Sequence, residues 1–370
     1  MDDGRFVAAL RSQTRRRLLA PDYYRPLPQA GASKAREALA AVLGRRPGRE
    51  RYAFFWTTAI LAWGLARSHH AFGEAADREA LEAFFASRLA GGSLRGRLRT
   101  LDDAMHGDPL LHLRGAVGDG RYDPALHETA EFLLKTLPRT PLGALPYRQN
   151  QNDLLFVDAV GMIAPFLARY GMEFSQPEAT SAAVRQMAGF LRTGLDPATG
   201  LPYHAYRESD GERLGLSGWG RGTGWLLVGL TDSLEHIPAG HPDRPELVAG
   251  LQKVLSAAAR RQGVTGAFAW RLSEPDARHD SSATAMIGYA LARAAALGLW
   301  LPESGERARR CLAALRAETA EDGIVSGGSG ECGGLGSYSR EFGAYPWVQG
   351  PTLALAAAVA ELGPGEQPPA

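Results

Sequence analysis

The sequence predicts an all-α protein that folds as an (α/α)6 barrel, a ring of six helical hairpins. Three observations predict this fold. Apolar residues recur at three- and four-residue spacing in twelve segments, runs of alternating β-branched residues are lacking, and short connections alternate with long ones. A single ring can also accommodate all 370 residues in one domain, although length alone would allow two or three domains.

The predicted helices differ in how evenly apolar they are. Segments 52–69, 153–170 and 220–236 are apolar on nearly all sides, which is typical of inner helices, whereas 76–90 and 244–262 carry charged stripes typical of outer helices. An amphipathic stretch near 4–19 precedes the twelve segments. The twelve predicted helices lie near residues 34–44, 52–69, 76–90, 104–117, 125–136, 153–170, 178–193, 220–236, 244–262, 281–297, 304–317 and 350–362.

We therefore expect one catalytic domain over residues 1–362, with residues 1–30 as an N-terminal extension and 363–370 as a disordered tail. The long connections contain most of the glycine and proline together with Tyr, Trp, Arg and His. Such loops are uncommon in compact domains unless they build a site. They are residues 137–151, 196–218, 263–280 and 321–350.

Composition excludes several classes of protein. The formal net charge of +1 argues against a nucleic-acid binder, and no apolar run is long enough to cross a membrane. Two cysteines cannot form a disulfide framework or a four-cysteine zinc site. The first twenty residues lack the apolar core of a signal peptide, so we expect a cytoplasmic protein without a bound metal.

Candidate acids occur in two places. Asp158 interrupts the apolar segment LLFVDAVGMIAPF, where burial would raise the pKa of its carboxyl group and suit a general acid. The alternative is a structural aspartate satisfied by an arginine or by backbone donors. Asp102 and Asp103 open a predicted helix, where aspartates commonly cap free N–H groups, although a second carboxylate would complete the pair used in sugar chemistry.

Candidate binding residues surround a glycine-rich stretch, WGRGTGW, at residues 219–225. Its glycines would let the backbone approach a ligand, Trp219 and Trp225 could stack on sugar rings, and Arg221 could bind a carboxylate. The alternative is a loop that caps a buried helix. His204 lies in a loop between two tyrosines, either as a ligand contact or as a surface histidine. The serine-hydrolase elbow, the zinc-protease motif and the dinucleotide fingerprint are all missing from the sequence.

The order of several blocks resembles the unsaturated uronyl hydrolases, glycoside hydrolase families 88 and 105. The blocks run LDDAMHGDPLLHL, GDGRYDPALHE, LPRTPLGALPY, VDAVGMIAPFLARYG, GLPYHAY, WGRGTGW, DSSATAMIGYALA and YPWVQGPTLALA, and they cover roughly residues 50–362. The resemblance implies an (α/α)6 barrel that removes a 4,5-unsaturated uronic acid from the non-reducing end of oligosaccharides by hydrating the C4=C5 enol ether. It also implies that no metal or organic cofactor is needed.

The same resemblance implies roles for individual residues. Asp158 matches the proton donor, which would also activate the water, and Asp102 matches the second carboxylate, with Asp103 as the alternative in register. His204, Trp219, Arg221 and Trp225 match substrate-binding positions, and we also expect Asp103 and His106 to bind substrate, with His106 standing where the family pattern has asparagine. Two other readings stay open: a sugar epimerase, isomerase or inverting glycosidase on the same barrel, and a non-catalytic carbohydrate-binding barrel.

Overall fold

The computed structural model describes residues 2–20, 54–94, 96–148, 151, 153–274, 277–299 and 303–363. These residues confirm the all-α class, because α-helices form the framework and the strands are only two or three residues long. The α-helices of the described residues are α1 (Asp3–Leu19), α2 (Trp56–Phe72), α3 (Ala75–Ala86), α4 (Gly107–Val117), α5 (Asp123–Glu131), α6 (Val157–Glu173), α7 (Pro177–Thr193), α8 (Gly220–Leu234), α9 (Arg244–Ala259), α10 (Ser281–Ala296), α11 (Ser304–Ala317) and α12 (Pro346–Glu361). A 3₁₀ helix, Leu101–His106, leads into α4, and a π-helical turn, Phe132–Thr136, follows α5.

Six elements form a closed inner ring. In order they are α2, the 3₁₀ helix with α4, α6, α8, α10 and α12, and each packs against the next until α12 meets α2 again. Helices α3, α5, α7, α9 and α11 each follow an inner helix and pack outside it. Every residue of α8 is buried, whereas α9 buries only one side. The predicted division into inner and outer helices is therefore confirmed.

Helix α1, which we treated as part of an extension, packs against α2, α3 and α12. Arg11 Nε donates to Asp77 Oδ2 over 2.9 Å, and the Asp77 side chain at the start of α3 is fully buried. From α12, Gln349 Nε2 donates to Thr14 Oγ1 over 3.3 Å. These contacts make α1 an integral part of the outer layer. The helix expected near 34–44 lies outside the described residues, as do residues 364–370 of the expected tail.

Helices α2 and α12 approach so closely that only glycine fits at their contact. A Cβ atom on Gly350 would lie 2.2 Å from the carbonyl oxygen of Ile60, and one on Gly64 would lie 2.4 Å from that of Gly350. Real Cβ atoms do not reach such distances without backbone movement. The ring therefore closes through direct backbone contact at this seam.

The inner helices begin at one end of the ring, where the long connections lie, and short connections occupy the other end. The long connections carry the strands β1 (Leu154–Phe156), β2 (Ala205–Arg207), β3 (Arg213–Leu214), β4 (Gly328–Ser329), β5 (Cys332–Gly334), β6 (Ser337–Tyr338) and β7 (Phe342–Gly343). Strands β1, β2 and β3 form one antiparallel sheet in that order, while β4 pairs with β7 and β5 pairs with β6. None of the described helices is long and apolar enough to span a bilayer.

A buried polar cluster occupies the opposite end of the ring. Asp232 of α8 accepts hydrogen bonds from Arg67 Nη2 over 2.8 Å, from the Tyr289 hydroxyl over 2.7 Å and from Trp63 Nε1 over 3.3 Å. Burial raises the pKa of Asp232, although the charge of Arg67 opposes that shift. These side chains connect α2, α8 and α10 at one end of the lumen, the space enclosed by the inner ring. The long connections surround its opening at the other end.

The α2–α12 seam generates a stability prediction. We expect Gly350→Ala to lower the free energy of unfolding by about 1–3 kcal/mol, because the added methyl group must displace the α2 backbone. Chemical denaturation followed by circular dichroism measures this change. The control is Gly115→Ala on the exposed side of α4, where only Arg169 Nη2 comes within 4.0 Å and helix propensity favours alanine by up to ~1 kcal/mol. Equal stabilities of the two variants would contradict the proposed seam.

Candidate active site

Asp158 and His204 meet at the start of helix α6. In the antiparallel pairing of β1 with β2, Phe156 lies opposite Ala205, and the N–H of Val157 donates to the carbonyl of His204 over 2.9 Å. This pairing fixes the two residues side by side, so that His204 Nε2 and Asp158 Oδ2 are 3.1 Å apart. Only 8% of Asp158 and 4% of His204 is exposed. The structure therefore brings together two residues that are 46 positions apart in the chain.

The second ring nitrogen of His204 contacts the hairpin formed by β5 and β6. His204 Nδ1 lies 2.7 Å from the Tyr338 hydroxyl, which also accepts a hydrogen bond from the backbone N–H of Leu216 over 2.9 Å. Burial would lower the pKa of His204, but the hydrogen bond and charge of Asp158, with a contribution from Cys332, raise it to about 9. The carboxylate of Asp158 thus favours the imidazolium form of His204, in which Nε2 donates to Asp158 and Nδ1 donates to Tyr338.

This geometry corrects the expectation for Asp158. We expected a carboxyl group isolated in an apolar helix, or one held by an arginine or by backbone donors. The structure instead gives Asp158 a histidine partner, and its position in the first turn of α6 also places it near the positive end of the helix dipole. The relevant chemical unit is the Asp158–His204 pair, which carries one transferable proton.

Asp102 provides a second carboxylate at the same opening. Its Oδ2 accepts a hydrogen bond from Arg148 Nη1 over 2.8 Å, while its buried Oδ1 has no hydrogen-bond partner among the described residues. Burial raises the pKa of Tyr147 well above 10, and the nearby carboxylates of Asp102 and Asp158 raise it further. Tyr147 thus lies close to both acids, and its ring packs 5.4 Å from that of Phe156. The structure brings the two predicted carboxylates to one site.

Asp103 and His106, which we considered as substrate-binding residues, have structural partners instead. Asp103 Oδ2 accepts from the backbone N–H groups of Arg99 and Thr100 over 2.8 and 2.9 Å, so Asp103 is the capping residue and Asp102 faces the site. His106 Nε2 lies 3.1 Å from Thr58 Oγ1.

The His106 ring is also stacked on an aromatic neighbour, the ring of Phe54, with 3.7 Å between the centroids. Burial lowers the pKa of His106 to about 3, so its ring is a neutral part of the core. Protein groups therefore occupy both the ring face and Nε2 of His106, which favours a structural role.

Trp219, Arg221 and Trp225 are all buried, but only Trp219 packs against the acid pair. The ring of Trp219 lies 4.7 Å from that of His204 and 5.6 Å from that of Tyr338. Trp225 is buried deeper in the lumen, 6.3 Å from the ring of Trp56. Trp219 is therefore adjacent to the acid pair, whereas Trp225 contributes to the floor of the lumen.

Arg221 is satisfied by the protein itself. Its Nη1 donates to the carbonyl and the hydroxyl of Ser329, each over 2.8 Å, and its Nη2 donates to the carbonyl of Gly330 over 2.9 Å. These contacts hold the segment after β4 against helix α8. They support a positioning role for Arg221 instead of the carboxylate clamp that the sequence suggested.

The glycines of residues 219–225 allow neighbouring side chains to pack closely within the barrel. A Cβ atom on Gly222 would lie 2.6 Å from the Trp219 ring, and one on Gly224 would lie 2.6 Å from Met286 Cβ. The stretch is also helical, since α8 begins at Gly220. The expectation that these glycines admit a ligand is therefore wrong, and the alternative of a glycine-rich start to a buried helix is closer to the structure.

Sequence reasoning missed Tyr147, Arg148 and Tyr338. All three lie in the long connections that we expected to build a site, but loops give no periodic signal that shows which side chains point inward. The single tyrosine of residues 137–151 and the four Phe, Tyr or Trp residues of 321–350 were the one available indication. No group of three His, Cys, Asp or Glu side chains in the described part of the chain is placed to hold a metal ion.

Comparison with known proteins identifies relatives with the same fold. A curated relative, the unsaturated rhamnogalacturonyl hydrolase YesR of Bacillus subtilis, is 27% identical over 280 residues, which are 74% of this chain and 79% of the relative. A solved structure of a possible member of the GH105 family from Klebsiella pneumoniae superposes with a TM-score of 0.82 at 19% identity, covering 98% of this chain and 94% of that one.

A second solved structure, the unsaturated glucuronyl hydrolase of Bacillus sp. GL1, superposes with a TM-score of 0.63 at 19% identity, covering 82% of this chain and 85% of that one. At these identities the two structural likenesses establish the fold. The model of Glycosyl Hydrolase Family 88 matches residues 42–361, which is most of the sequence. The chain therefore belongs to Glycosyl Hydrolase Family 88 and is a glycoside hydrolase with the (α/α)6 barrel fold.

Proposed function

We propose that this glycoside hydrolase removes a 4,5-unsaturated uronic acid from the non-reducing end of an oligosaccharide by hydrating its C4=C5 double bond. The observation that carries the proposal is the buried Asp158–His204 pair beside the ring of Trp219 and the second carboxylate, Asp102. The names of the relatives, an unsaturated rhamnogalacturonyl hydrolase and an unsaturated glucuronyl hydrolase, support the same substrate class.

The reaction needs a group that can give a proton to carbon and then take one from water. Asp158 protonates C4 of the enol ether, and the positive charge that develops at C5 is shared with the ring oxygen. Water adds to C5 while the Asp158 carboxylate accepts its proton, which gives a hemiketal. The hemiketal opens to a ketone at C5 and a hemiacetal at C1, and the hemiacetal releases the leaving sugar as an alcohol.

His204 supplies the proton that Asp158 delivers. In the resting pair the imidazolium of His204 holds the proton, and Asp158 is the acceptor at 3.1 Å. Transfer of the Nε2 proton to Oδ2 produces the neutral acid beside a neutral imidazole, which places the reactive proton on the carboxyl group. Tyr338 keeps the imidazole oriented throughout, because its hydroxyl is fixed by the backbone N–H of Leu216.

Asp102 and the aromatic wall position the sugar. The Oδ1 atom of Asp102 is buried and has no protein hydrogen bond among the described residues, and we propose that a sugar hydroxyl satisfies it when the substrate enters. Arg148 holds the other oxygen and so fixes the carboxylate plane. Trp219 is buried next to His204 with the Arg221 guanidinium 4.9 Å from its ring centre, and we propose that it borders the uronic acid ring flattened by its double bond. A cytoplasmic location and independence of cofactors stay predictions from the sequence.

The first test is Asp158→Asn, which keeps the shape of the side chain but removes the proton donor. Wild-type protein should consume lyase-generated unsaturated disaccharides with loss of the conjugated ultraviolet absorbance, and the variant should be slower by ~10²- to 10⁴-fold. A cooperative thermal transition and an unchanged far-ultraviolet circular dichroism spectrum would show that the variant is folded. A folded wild type that consumes no unsaturated uronide from a broad panel would refute the function, and conversion of a saturated sugar would favour an epimerase or another glycosidase.

The second test is the titration of His204. We expect its imidazole to titrate at about pH 9 in the wild type and below its usual pKa of ~6.5 in Asp158→Asn, where burial remains and the carboxylate is lost. The contribution of the Asp158–His204 pair to the free energy of unfolding is complete below pH ~6.5 and is lost as the pH rises through about 9. Histidine NMR measures both values, with His106 as an internal control that stays neutral. A wild-type midpoint at or below ~6.5 would rule out the charged pair.

The third test separates the neighbouring aspartates. Asp102→Asn should lower kcat/KM by more than about tenfold with little loss of stability, since charge-assisted hydrogen bonds contribute ~1.5–3 kcal/mol. Asp103→Asn should instead cost about 1 kcal/mol of stability through the weakened cap and leave kcat/KM nearly unchanged. Steady-state kinetics and chemical denaturation of both variants measure these effects. A loss of kcat/KM in Asp103→Asn and a loss of stability alone in Asp102→Asn would exchange the two roles.

A further inference from the structure

A small cavity lies inside the lumen, between helices α2, α4, α6, α8 and α10. We call it the floor cavity and define it by Asp108, Gly161, Pro165, Trp225 and Val228, which line it together with other buried apolar side chains. Its volume is about 10 Å³, which is room for one water molecule. Among the described residues of its wall, Asp108 is the one that carries a charge.

Asp108 brings an unsatisfied oxygen to the floor cavity. The residue is only 6% exposed, and its buried Oδ1 has no hydrogen-bond partner among the described residues. Its Oδ2 lies 3.5 Å from Arg67 Nη2, whereas the same nitrogen donates to Asp232 over 2.8 Å. Arg67 therefore serves mainly Asp232. Since a buried carboxylate oxygen without a donor is strongly unfavourable, Asp108 requires a further hydrogen-bond donor.

Helix α6 brings a second acceptor to the same cavity. Pro165 lies inside this helix and has no N–H, so the carbonyl of Gly161, four residues earlier, does not receive the usual helical hydrogen bond from residue 165. Gly161 and Pro165 both line the floor cavity, which places this gap in the backbone hydrogen bonds at its wall. Two oxygen acceptors that need a donor, one from α4 and one from α6, thus border one small cavity.

The chemistry of the wall favours water over a metal ion. A hard cation such as Ca²⁺ takes about six or more oxygen ligands, whereas the wall supplies the Asp108 carboxylate and the Gly161 carbonyl among aliphatic, aromatic and thioether groups. A water molecule carries two O–H donors and so matches two acceptors. Buried waters in proteins typically satisfy polar groups that would otherwise lack a partner.

We propose that the floor cavity is the binding site of one water molecule, which donates to Asp108 Oδ1 and to the carbonyl of Gly161. Asp108 follows the 3₁₀ helix that carries Asp102, and Gly161 lies one helical turn after Asp158. The bound water therefore connects the two elements that bear the candidate carboxylates. It is part of the structure of the barrel and takes no part in the chemical step.

A high-resolution crystal structure of the wild-type protein is the direct test. We expect one peak of electron density at ~2.5–3.0 Å from both Asp108 Oδ1 and the Gly161 oxygen. A cavity without density, or an Asp108 side chain turned towards a protein donor, would overturn the proposal. An anomalous signal in contact with the methionine sulfurs of the wall would identify a soft metal ion and would overturn it as well.

Val228→Ile tests the site in solution, because its added methyl group takes the volume of the water without changing either acceptor. The variant should hold one long-lived internal water fewer by oxygen-17 magnetic relaxation dispersion, and its midpoint of urea denaturation should fall as Asp108 loses its donor. The matched control is Val254→Ile on α9, which adds the same methyl group at a buried position away from the floor cavity and should keep the water count. An unchanged water count with a raised midpoint in Val228→Ile would reveal a dry cavity and overturn the proposal.

Pro165→Ala tests the second acceptor. The alanine restores an N–H at position 165, so the Gly161 carbonyl regains its helical hydrogen bond and the water loses one of its two partners. The residence time of the water should shorten, or the water should be lost. Pro351→Ala makes the same change inside α12, away from the floor cavity, and should leave the water as it is in the wild type. A residence time that is the same in wild type, Pro165→Ala and Pro351→Ala would overturn the bridge to Gly161.

Discussion

The hydrogen bond between Asp158 and His204 is the interaction on which the arrangement of the site depends. Two titratable groups that are more than nine-tenths buried are tolerated only if each satisfies the other, because an isolated buried charge is strongly unfavourable. The protein fixes this partnership through backbone geometry, since β1 and β2 pair so that the Val157 N–H meets the His204 carbonyl. This small sheet lies next to the first turn of α6 and sets the distance between the side chains of Asp158 and His204.

The barrel supports this pair with a second set of buried contacts. Ser329, in the connection before α12, donates through its backbone N–H and its hydroxyl to Asp280, over 3.1 and 2.7 Å, and its carbonyl accepts from Arg221 and from Trp347 Nε1. These bonds join the starts of α8, α10 and α12 around one serine. The hairpin that carries Tyr338 follows the segment anchored at Ser329. This anchoring holds the Tyr338 hydroxyl against the imidazole of His204.

Three of the predicted site residues have protein partners for one shared reason. Asp103, His106 and Arg221 have the residue types that bind sugars, and a motif read along the chain cannot distinguish them from Asp102, His204 and Trp219. The two sets of residues differ in role because their side chains point in different directions. One carboxylate of the adjacent pair turns back to cap its own helix, the His106 ring packs on Phe54 in the core, and the guanidinium of Arg221 points into the segment that it holds. In each case the side chain has its contacts with the backbone or with residues distant in sequence.

The sequence by itself determined the helical class, the inner and outer order of the ring, and the positions of Asp102 and Asp158 near the starts of inner helices, because hydrophobic periodicity and helix-start chemistry are local properties. The long connections were also recognisable as site-forming from their composition. Only the tertiary structure decided that His204 and Tyr338 join Asp158 and that Tyr147 and Arg148 accompany Asp102. Such contacts join residues far apart in the chain, and their geometry follows from packing, which no local pattern encodes.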